Sequence, residues 1–233
     1  MTDPAVPYLT IIIPTYKEAK TVFKSIENIS QFMRTTKIPF EILVVDDNSP
    51  DGTSEEVWRA IGGEYPVGLI VRTKNPGLSQ SVIEGFRNAR GNIFVVTDAD
   101  LSHDITAIPV LYTAIVLGAD VAIGSRYMDG GNIIDWPIKR RVVSWGATAL
   151  ARLIYPELTD PVSGFFAVRK SLVSRVVLKP CGYKILLEIL SKTDYKNAVE
   201  IPYTFTNRRD GESKLRTGTM IEFLKQLVDI RNQ

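Results

Sequence analysis

The stretch Gly91-Asn-Ile-Phe-Val-Val-Thr-Asp-Ala-Asp-Leu-Ser-His103 decides the fold of this chain. Its apolar run, Ile93 to Val96, predicts a short strand buried on both faces, as strands of parallel sheets are. The strand leads into two carboxylates, Asp98 and Asp100. Their side chains point the same way, because alternate residues of an extended segment share a face. The sequence therefore places two convergent carboxylates at the end of a buried strand.

Two interpretations of this acidic pair are open at the level of sequence. In the first, both aspartates cap a following helix, Thr106 to Gly118, whose first turn holds Pro109. In the second, they bind Mg²⁺ or Mn²⁺ together with substrate phosphates, since such ions prefer oxygen ligands and keep several waters. A lone Asp-x-Asp motif favours the cap. The position after a buried strand favours the metal, because open α/β sheets bind ligands there.

Short apolar runs alternate with helical segments on both sides of this stretch. Strands are predicted at 8–13, 40–45, 67–71, 93–96 and 120–124, and helices at 21–34, 79–90 and 106–118, with a short one after residue 52. This alternation indicates crossover units, and hence an α/β fold whose mostly parallel central sheet is flanked by helices. The second half is less regular, with helices predicted at 139–155, 182–192 and 219–231, a strand that 160–166 opens, and a last strand at 199–205.

Composition excludes several classes of protein. The 233 residues are 45% hydrophobic and 23% charged, which is typical of a globular chain with a substantial core, and no linker or repeat divides 1–233. A net charge of +2 does not indicate a nucleic-acid partner. The single Cys181 rules out an internal disulfide framework, and the single His103 excludes a histidine-based zinc site. Neither a signal peptide nor a membrane span is expected.

The helices predicted at 139–155 and 219–231 are both amphipathic. In the first, Val142, Val143, Trp145, Ala149 and Leu153 form the apolar side, beside basic residues. Packing of the apolar sides on the sheet is the favoured interpretation. The basic residues keep contact with an anionic membrane surface open as an alternative.

Six motifs occur in order: Pro14-Thr-Tyr-x-Glu18, Val45-Asp-Asp-x-Ser-Pro-Asp51, Asp98-Ala-Asp-Leu-Ser-His103, Gly124-Ser-Arg-Tyr127, Asp160-x-x-Ser-Gly-Phe165 and Gly211-Glu-Ser-Lys214. Together they resemble the dolichyl-phosphate mannose synthase group of the family 2 glycosyltransferases. The first three are typical of the broad family, and the last three are more particular to polyprenyl-phosphate glycosyl transfer. The resemblance implies a GT-A fold, with a nucleotide-sugar-binding half at about 8–125 and an acceptor-binding half at about 126–233.

The resemblance also implies roles for individual residues. It assigns the donor to Pro14, Tyr16, Glu18, Val45, Asp47, Asp98, Ala99, Asp100 and Lys214. It assigns the metal to Asp98 and Asp100, with Ser102 as a weaker third ligand. It assigns the acceptor phosphate to Arg126, Arg140 and Arg208, and catalysis to Asp100, Arg126 and Arg208.

The implied function is inverting, metal-dependent transfer of mannose from GDP-mannose to dolichyl or another polyprenyl phosphate. The implied location is peripheral, on the cytoplasmic face of a membrane, and an anchoring segment or subunit outside this chain stays open. The alternatives are a UDP-glucose donor, or a nucleotide-sugar-binding subunit without turnover. No side-chain general base is expected, because a phosphate monoester is already charged near neutral pH. Asp160 is the one candidate base, and Asp160→Asn is expected to keep substantial activity if the protein stays folded.

Overall fold

The computed structural model describes residues 8–63, 65–179, 184–207 and 217–231. The strands are β1 Leu9–Thr15, β2 Phe40–Asp46, β3 Val67–Val71, β4 Ile93–Val96, β5 Val121–Ser125, β6 Asn132–Ile134, β7 Phe166–Arg169, β8 Ala198–Pro202 and β9 Thr204–Thr206. The helices are α1 Val22–Thr36, α2 Thr53–Gly62, α3 Leu78–Asn88, α4 Ile108–Val116, α5 Ile138–Arg152, α6 Lys170–Val173, α7 Ile185–Lys192 and α8 Thr217–Arg231.

A seven-stranded sheet in the order β3-β2-β1-β4-β7-β5-β8 forms the centre of the molecule. All its pairings are parallel except those of β7, which runs antiparallel to β4 and β5. The prediction of a mostly parallel sheet flanked by helices is therefore confirmed. After β1 the chain adds β2 and β3 on one side of it, and it then returns to add β4 on the other side. Such a switch point in the strand order opens a crevice at the carboxyl ends of the strands.

Both faces of the sheet are covered, which explains the continuous apolar runs of its central strands. All four residues of β4 are buried, as the sequence predicts. Phe94 and Val96 lie in one core cluster, while Ile93 and Val95 lie in the other, because successive side chains of a strand point to opposite faces. The helices α1, α2 and α4 contribute to the second cluster, and α3, α7 and α8 to the first.

The second half departs from the sequence prediction in its strands. The segment expected to be one strand, Val199 to Phe205, is divided into β8 and β9. The strand β9 leaves the main sheet and pairs with β6, a short strand that the Gly-rich sequence around it concealed. Because β6 follows β5, β9 follows β8, and β5 and β8 are parallel, the small β6-β9 sheet lies at the carboxyl edge of the main sheet. The division into two functional halves near residue 125 stays a prediction.

The helix α5 packs on the sheet in the opposite way to the one expected. Its small residues Ala147, Thr148 and Ala151 are buried, whereas Val142 and Trp145 are 62% and 64% exposed. The expectation that the large apolar side chains of this helix face the core is therefore wrong. For α8 the expectation holds in part, because Phe223, Leu227 and Ile230 are buried. Within the described ranges, none of the helices combines the length and the apolar character needed to cross a bilayer.

The close approach of β5 to the segment before β7 predicts a sensitive glycine. A Cβ added at Gly124 would lie 2.7 Å from Cδ1 and 3.1 Å from the carbonyl oxygen of Phe165, a fully buried residue. We expect Gly124→Ala to lower the free energy of unfolding by about 1–3 kcal/mol, as overpacking does. Urea denaturation measures this change.

The matched control is Gly62→Ala, where the added Cβ meets nothing within 4 Å. It should leave stability unchanged or raise it by up to about 1 kcal/mol, because alanine favours helix. Equal effects of the two substitutions would contradict the tight contact between β5 and Phe165.

Candidate functional site

The two carboxylates at the end of β4 are held in a tight turn. Asp100 Oδ1 accepts hydrogen bonds from the backbone N–H of Ser102, at 3.1 Å, and from its hydroxyl. Leu101 between them has a φ of 61°, a conformation that side chains with a Cβ seldom adopt. Strain of this kind is typical of functional loops. Ser102 is buried and contacts Asp100, whereas its predicted ligation of a metal stays a prediction.

Asp98 and Asp100 do not cap the helix that follows them. The residue that caps the following turn is Asp104, whose side chain accepts a hydrogen bond from the N–H of Thr106. The alternative in which Asp98 and Asp100 both cap this helix is therefore wrong. Asp104 is the capping residue because it lies directly before the turn at Ile105–Ala107.

His103 contacts the backbone that carries the acidic pair. Its Nδ1 lies 3.2 Å from the N–H of Asp98 and 3.0 Å from the hydroxyl of Thr97. Because the amide donates to Nδ1, the ring proton sits on Nε2, which is 3.7 Å from Oδ2 of Asp98. Burial lowers the pKa of His103, and Asp98 and Asp100 only partly oppose this, so the ring is neutral at neutral pH.

The loops after β1 and β2 are joined by hydrogen bonds. The N–H groups of Lys17, Glu18 and Ala19 donate to the side chains of Ser49, Thr53 and Asp51, respectively, at distances of 2.9 to 3.2 Å. Tyr16 is exposed and Glu18 is half-buried in the same loop. Of the residues predicted to bind the donor, Tyr16 and Glu18 thus lie on this reinforced loop pair at the carboxyl edge of the sheet, whereas Pro14 lies within β1.

Asp47 is held by partners that the sequence analysis missed. Its Oδ1 accepts from the guanidinium of Arg72 and from the hydroxyl of Ser81, at 2.8 Å for the latter. Its Oδ2 accepts from the N–H of Gly77 at 2.6 Å. Arg72 directly follows β3, as Asp47 follows β2, so the predicted strands could have suggested that these two residues meet. Val45, also predicted to contact the donor, is fully buried, and its side chain packs in the core.

Arg126 follows β5 and is held by Asp160 in a buried bidentate ion pair. Its Nε lies 2.7 Å from Oδ2 and its Nη2 lies 2.9 Å from Oδ1, and its backbone N–H also donates to Asp160. Burial alone lowers the pKa of Arg126, but the charge and hydrogen bonds of Asp160 outweigh it and raise the pKa above its usual range. The sequence analysis did not foresee this pair, because the partners are 34 residues apart.

Hydrogen bonds to strand β8 hold the turn that carries Asp160. The carboxylate of Glu200 accepts from the N–H and the hydroxyl of Thr159 and from the N–H of Asp160, at distances of 2.7 to 2.9 Å. These contacts orient Asp160 toward Arg126. Both carboxylate oxygens accept hydrogen bonds from the guanidinium, so Asp160 is a positioning residue. That Asp160→Asn keeps substantial activity when it is folded stays a prediction.

A second arginine lies in the same region, on α5. Arg140 Nη1 donates to the side-chain oxygen of Asn207 at 2.8 Å, and its guanidinium lies 4.3 Å from the ring centre of Trp136. The guanidinium of Arg126 lies 5.6 Å from the same ring. Phe205 of β9 packs edge-on against Trp136 and against His103. The structure thus brings two of the predicted acceptor arginines together around one aromatic cluster.

Lys184, immediately before α7, is a further cation that the sequence analysis missed. Its ammonium donates to the carbonyl of Val162 at 2.8 Å, within the segment that follows Asp160. Burial and the charge of Arg126 lower the pKa of Lys184 to about 8, against the opposing charges of Asp160 and Asp98. Its only sequence signal is a lone lysine beside an apolar helix. The remaining predicted cations, Arg208 and Lys214, lie outside the described residues.

The carboxylate oxygens at the end of β4 are suitable ligands for a hard divalent cation. Asp98 and Asp100 supply oxygen ligands, and no third His, Cys, Asp or Glu completes a metal-binding group with them within the part of the chain that is described. A cation held there by two carboxylates completes its shell with phosphate oxygens and water, which is how Mg²⁺ is usually bound. The carboxyl edge therefore joins an acidic pair to a cationic aromatic cluster.

Comparison with known proteins identifies the family. A model described as glycosyl transferase family 2 matches residues 10–177, so the chain belongs to that family. A relative in Pyrococcus furiosus named dolichol-phosphate mannosyltransferase is 47% identical over 94% of this chain. Another of the same name in Mycosarcoma maydis is 36% identical over 96% of it. The chain spans 62% of the length of the first relative and 79% of the second. The resemblance stated from the motifs is confirmed.

The fold is also found in solved structures. Glucosyl-3-phosphoglycerate synthase from Mycobacterium tuberculosis, in complex with Mn²⁺, UDP and glucosyl-3-phosphoglycerate, matches with a TM-score of 0.69 at 17% identity. The match covers 97% of this chain and 78% of the synthase. At this identity the likeness concerns the fold alone, and the predicted GT-A fold is confirmed.

The ion pair of Arg126 and Asp160 yields a stability prediction. We expect Asp160→Asn to destabilise the protein by about 3–5 kcal/mol, because it leaves a buried guanidinium without its counter-charge. The double variant Arg126→Gln with Asp160→Asn should recover part of the loss, since it removes the unpaired cation. Urea denaturation of the variants measures both changes.

The control is Asp129→Asn, at an exposed aspartate of the loop after β5, which should change stability by less than about 0.5 kcal/mol. A double variant less stable than Asp160→Asn alone would show that the pair is not the source of the loss.

Proposed function

We propose that this chain transfers mannose from GDP-mannose to dolichyl or another polyprenyl phosphate, inverting the anomeric centre. The names of the relatives support the transferred sugar and the class of acceptor. The observation that carries the proposal is the junction at His103, whose ring supports the N–H of Asp98 and packs against Phe205. A site for a metal-bound diphosphate thus adjoins a site with two arginines for a second anion.

This arrangement suits a phosphate nucleophile. A sugar hydroxyl must lose a proton as it attacks and needs a poised base. A phosphate monoester carries about −1.5 to −2 charges near neutrality, with a second pKa near 6, and is a ready nucleophile. The one candidate base that the sequence offers, Asp160, is bonded to Arg126 through both carboxylate oxygens. The protein's task is then to hold two anions together and to stabilise the departing diphosphate.

Each part of the site has a task in this mechanism. Asp98 and Asp100 would hold a Mg²⁺ or Mn²⁺ ion, which would neutralise charge on the diphosphate. The solved synthase of the same fold contains Mn²⁺, which supports a divalent cation but does not choose between the two. Arg126 and Arg140 bind the acceptor phosphate, because guanidinium groups suit phosphate oxygens. The predicted contributions of Arg208 and Lys214 belong to the same proposal.

Product analysis with a panel of labelled nucleotide sugars tests the proposal. With a soluble prenyl phosphate and Mg²⁺ or Mn²⁺, we expect a mannosyl phosphate lipid from GDP-mannose and little or none from UDP-glucose. Asp100→Asn should reduce the rate by at least about a hundredfold, as expected when transition-state charge loses its stabilisation. The exposed Asp129→Asn is the matched control, and its rate should not change.

Three outcomes would contradict parts of this proposal. A lipid product from UDP-glucose alone would establish the alternative donor. Binding of nucleotide sugar without any transfer would establish a non-catalytic subunit. Undiminished transfer in excess EDTA would remove the divalent cation from the mechanism.

The exposed face of α5 supports peripheral contact with a membrane. Ile138, Val142, Trp145 and Leu153 lie exposed along this helix and its end, together with Lys139, Arg141 and Arg152. Apolar side chains of this kind enter the interface of a bilayer, and basic neighbours favour anionic headgroups. A lipid acceptor has to reach Arg140 on the same helix. We place this face, with part of α8, against the cytoplasmic surface of a membrane.

Liposome flotation tests the membrane contact. The protein should float with anionic vesicles at low salt, and the double variant Val142→Asp with Trp145→Asp should not. Leu117→Asp, at a residue 82% exposed on the other side of the sheet, is the matched control and should still float. Failure of the unmodified protein to float would exclude binding through α5 alone.

A further inference from the structure

Trp136 occupies a special position between the two arginines of the site. It follows β6, and its ring centre lies 4.3 Å from the guanidinium of Arg140 and 5.6 Å from that of Arg126. Phe205 packs edge-on against it, with ring centres 5.1 Å apart. Both guanidiniums are thus held against one indole, whose π face attracts cations.

The indole N–H of Trp136 has no hydrogen-bond acceptor among the described residues, although its nitrogen is buried. An indole nitrogen can only donate, so it cannot be satisfied by a neighbouring N–H. Buried donors in folded proteins nearly always have a partner, and an exception needs an explanation. Three other buried polar atoms lack partners in the same part of the chain, on Ser30, Thr148 and Gln226. Of these four residues, Trp136 is the one whose ring lies beside two guanidinium groups.

The surroundings of this N–H call for a negatively charged oxygen. The N–H edge of an indole is its positive edge, and here it belongs to a ring contacted by two cations. A negatively charged oxygen would satisfy this N–H and would also be attracted by both guanidinium groups, because hydrogen bonds to charged groups are the strong ones. The bidentate bonds from Nε and Nη2 of Arg126 go to Asp160, so additional donors are needed to surround a phosphate.

We propose that Trp136 binds the acceptor directly, its indole N–H donating to an oxygen of the acceptor phosphate while its ring face fixes Arg140. This assignment rests on the proposed function, because it takes the second anion to be a prenyl phosphate. It makes Trp136 both a ligand of the acceptor and the residue that positions a second ligand.

Indole N–H resonances provide a direct test in the unmodified protein. The chain has three tryptophans, so a ¹⁵N-labelled sample gives three indole signals. Trp58→Phe and Trp145→Phe assign two of them and leave that of Trp136. We expect farnesyl phosphate to move the Trp136 proton signal downfield, as a new hydrogen bond to an anion does, and to leave the Trp58 signal in place.

Adding different ligands shows whether this oxygen belongs to the acceptor phosphate or to the donor diphosphate. GDP with Mg²⁺ should leave the Trp136 signal nearly unchanged, whereas inorganic phosphate at high concentration should move it in the same direction as farnesyl phosphate. A shift caused by GDP and Mg²⁺ alone would assign the N–H to the donor diphosphate and overturn the proposal.

Kinetics of Trp136→Phe give the second test. Phenylalanine keeps an aromatic face for Arg140 but removes the N–H. We expect kcat/KM for the prenyl phosphate to fall about ten- to a hundredfold, the usual effect of losing a hydrogen bond to a charged group. The affinity for GDP with Mg²⁺ should stay unchanged, which shows that the variant is folded. Trp58→Phe, at an exposed residue of α2, is the matched control.

The two proposals fail in different ways. If no prenyl phosphate is mannosylated and none binds, the proposed function fails. If transfer proceeds but the Trp136 signal does not move at saturating farnesyl phosphate, or Trp136→Phe keeps its kcat/KM, then only the role of Trp136 is overturned.

Discussion

The buried ion pair between Arg126 and Asp160 is the interaction on which the second half of the site depends. A guanidinium enclosed by protein is costly unless a carboxylate with good geometry offsets the lost hydration. Here the carboxylate binds through both oxygens, and Glu200 fixes the turn that presents it. The pair also joins the end of β5 to the segment before the antiparallel β7. The insertion of β7 into the sheet and the position of the cation are therefore linked.

All the functional loops meet at one edge because of the direction of the strands. The strands β1, β2, β4 and β5 run the same way, so the segments that follow them lie together. The antiparallel β7 begins at this edge, and for that reason Asp160 precedes it there. His103 then connects the acidic and the cationic regions by packing between Asp98 and Phe205. The acidic pair and the cationic aromatic cluster therefore adjoin each other at this edge.

The helix α5 turns its small residues inward and its large apolar residues outward. Ala147, Thr148 and Ala151 are buried, whereas Val142 and Trp145 are exposed. Exposed apolar surface on a helix is costly in water, and basic neighbours make a lipid surface a suitable partner. The same helix carries Arg140 into the site. The membrane contact and the acceptor site that we propose therefore lie on one helix.

The sequence by itself determined the mostly parallel sheet and the position of the acidic pair. These features are local, because the alternation of apolar runs and helices, and two aspartates after a buried strand, can be read within short windows. The partner of Arg126, the exposed face of α5, the anchoring of Asp47 and the cluster around Trp136 were decided only by the tertiary structure. Each depends on contacts between segments far apart in the chain, and periodicity carries no information about which distant residues will meet.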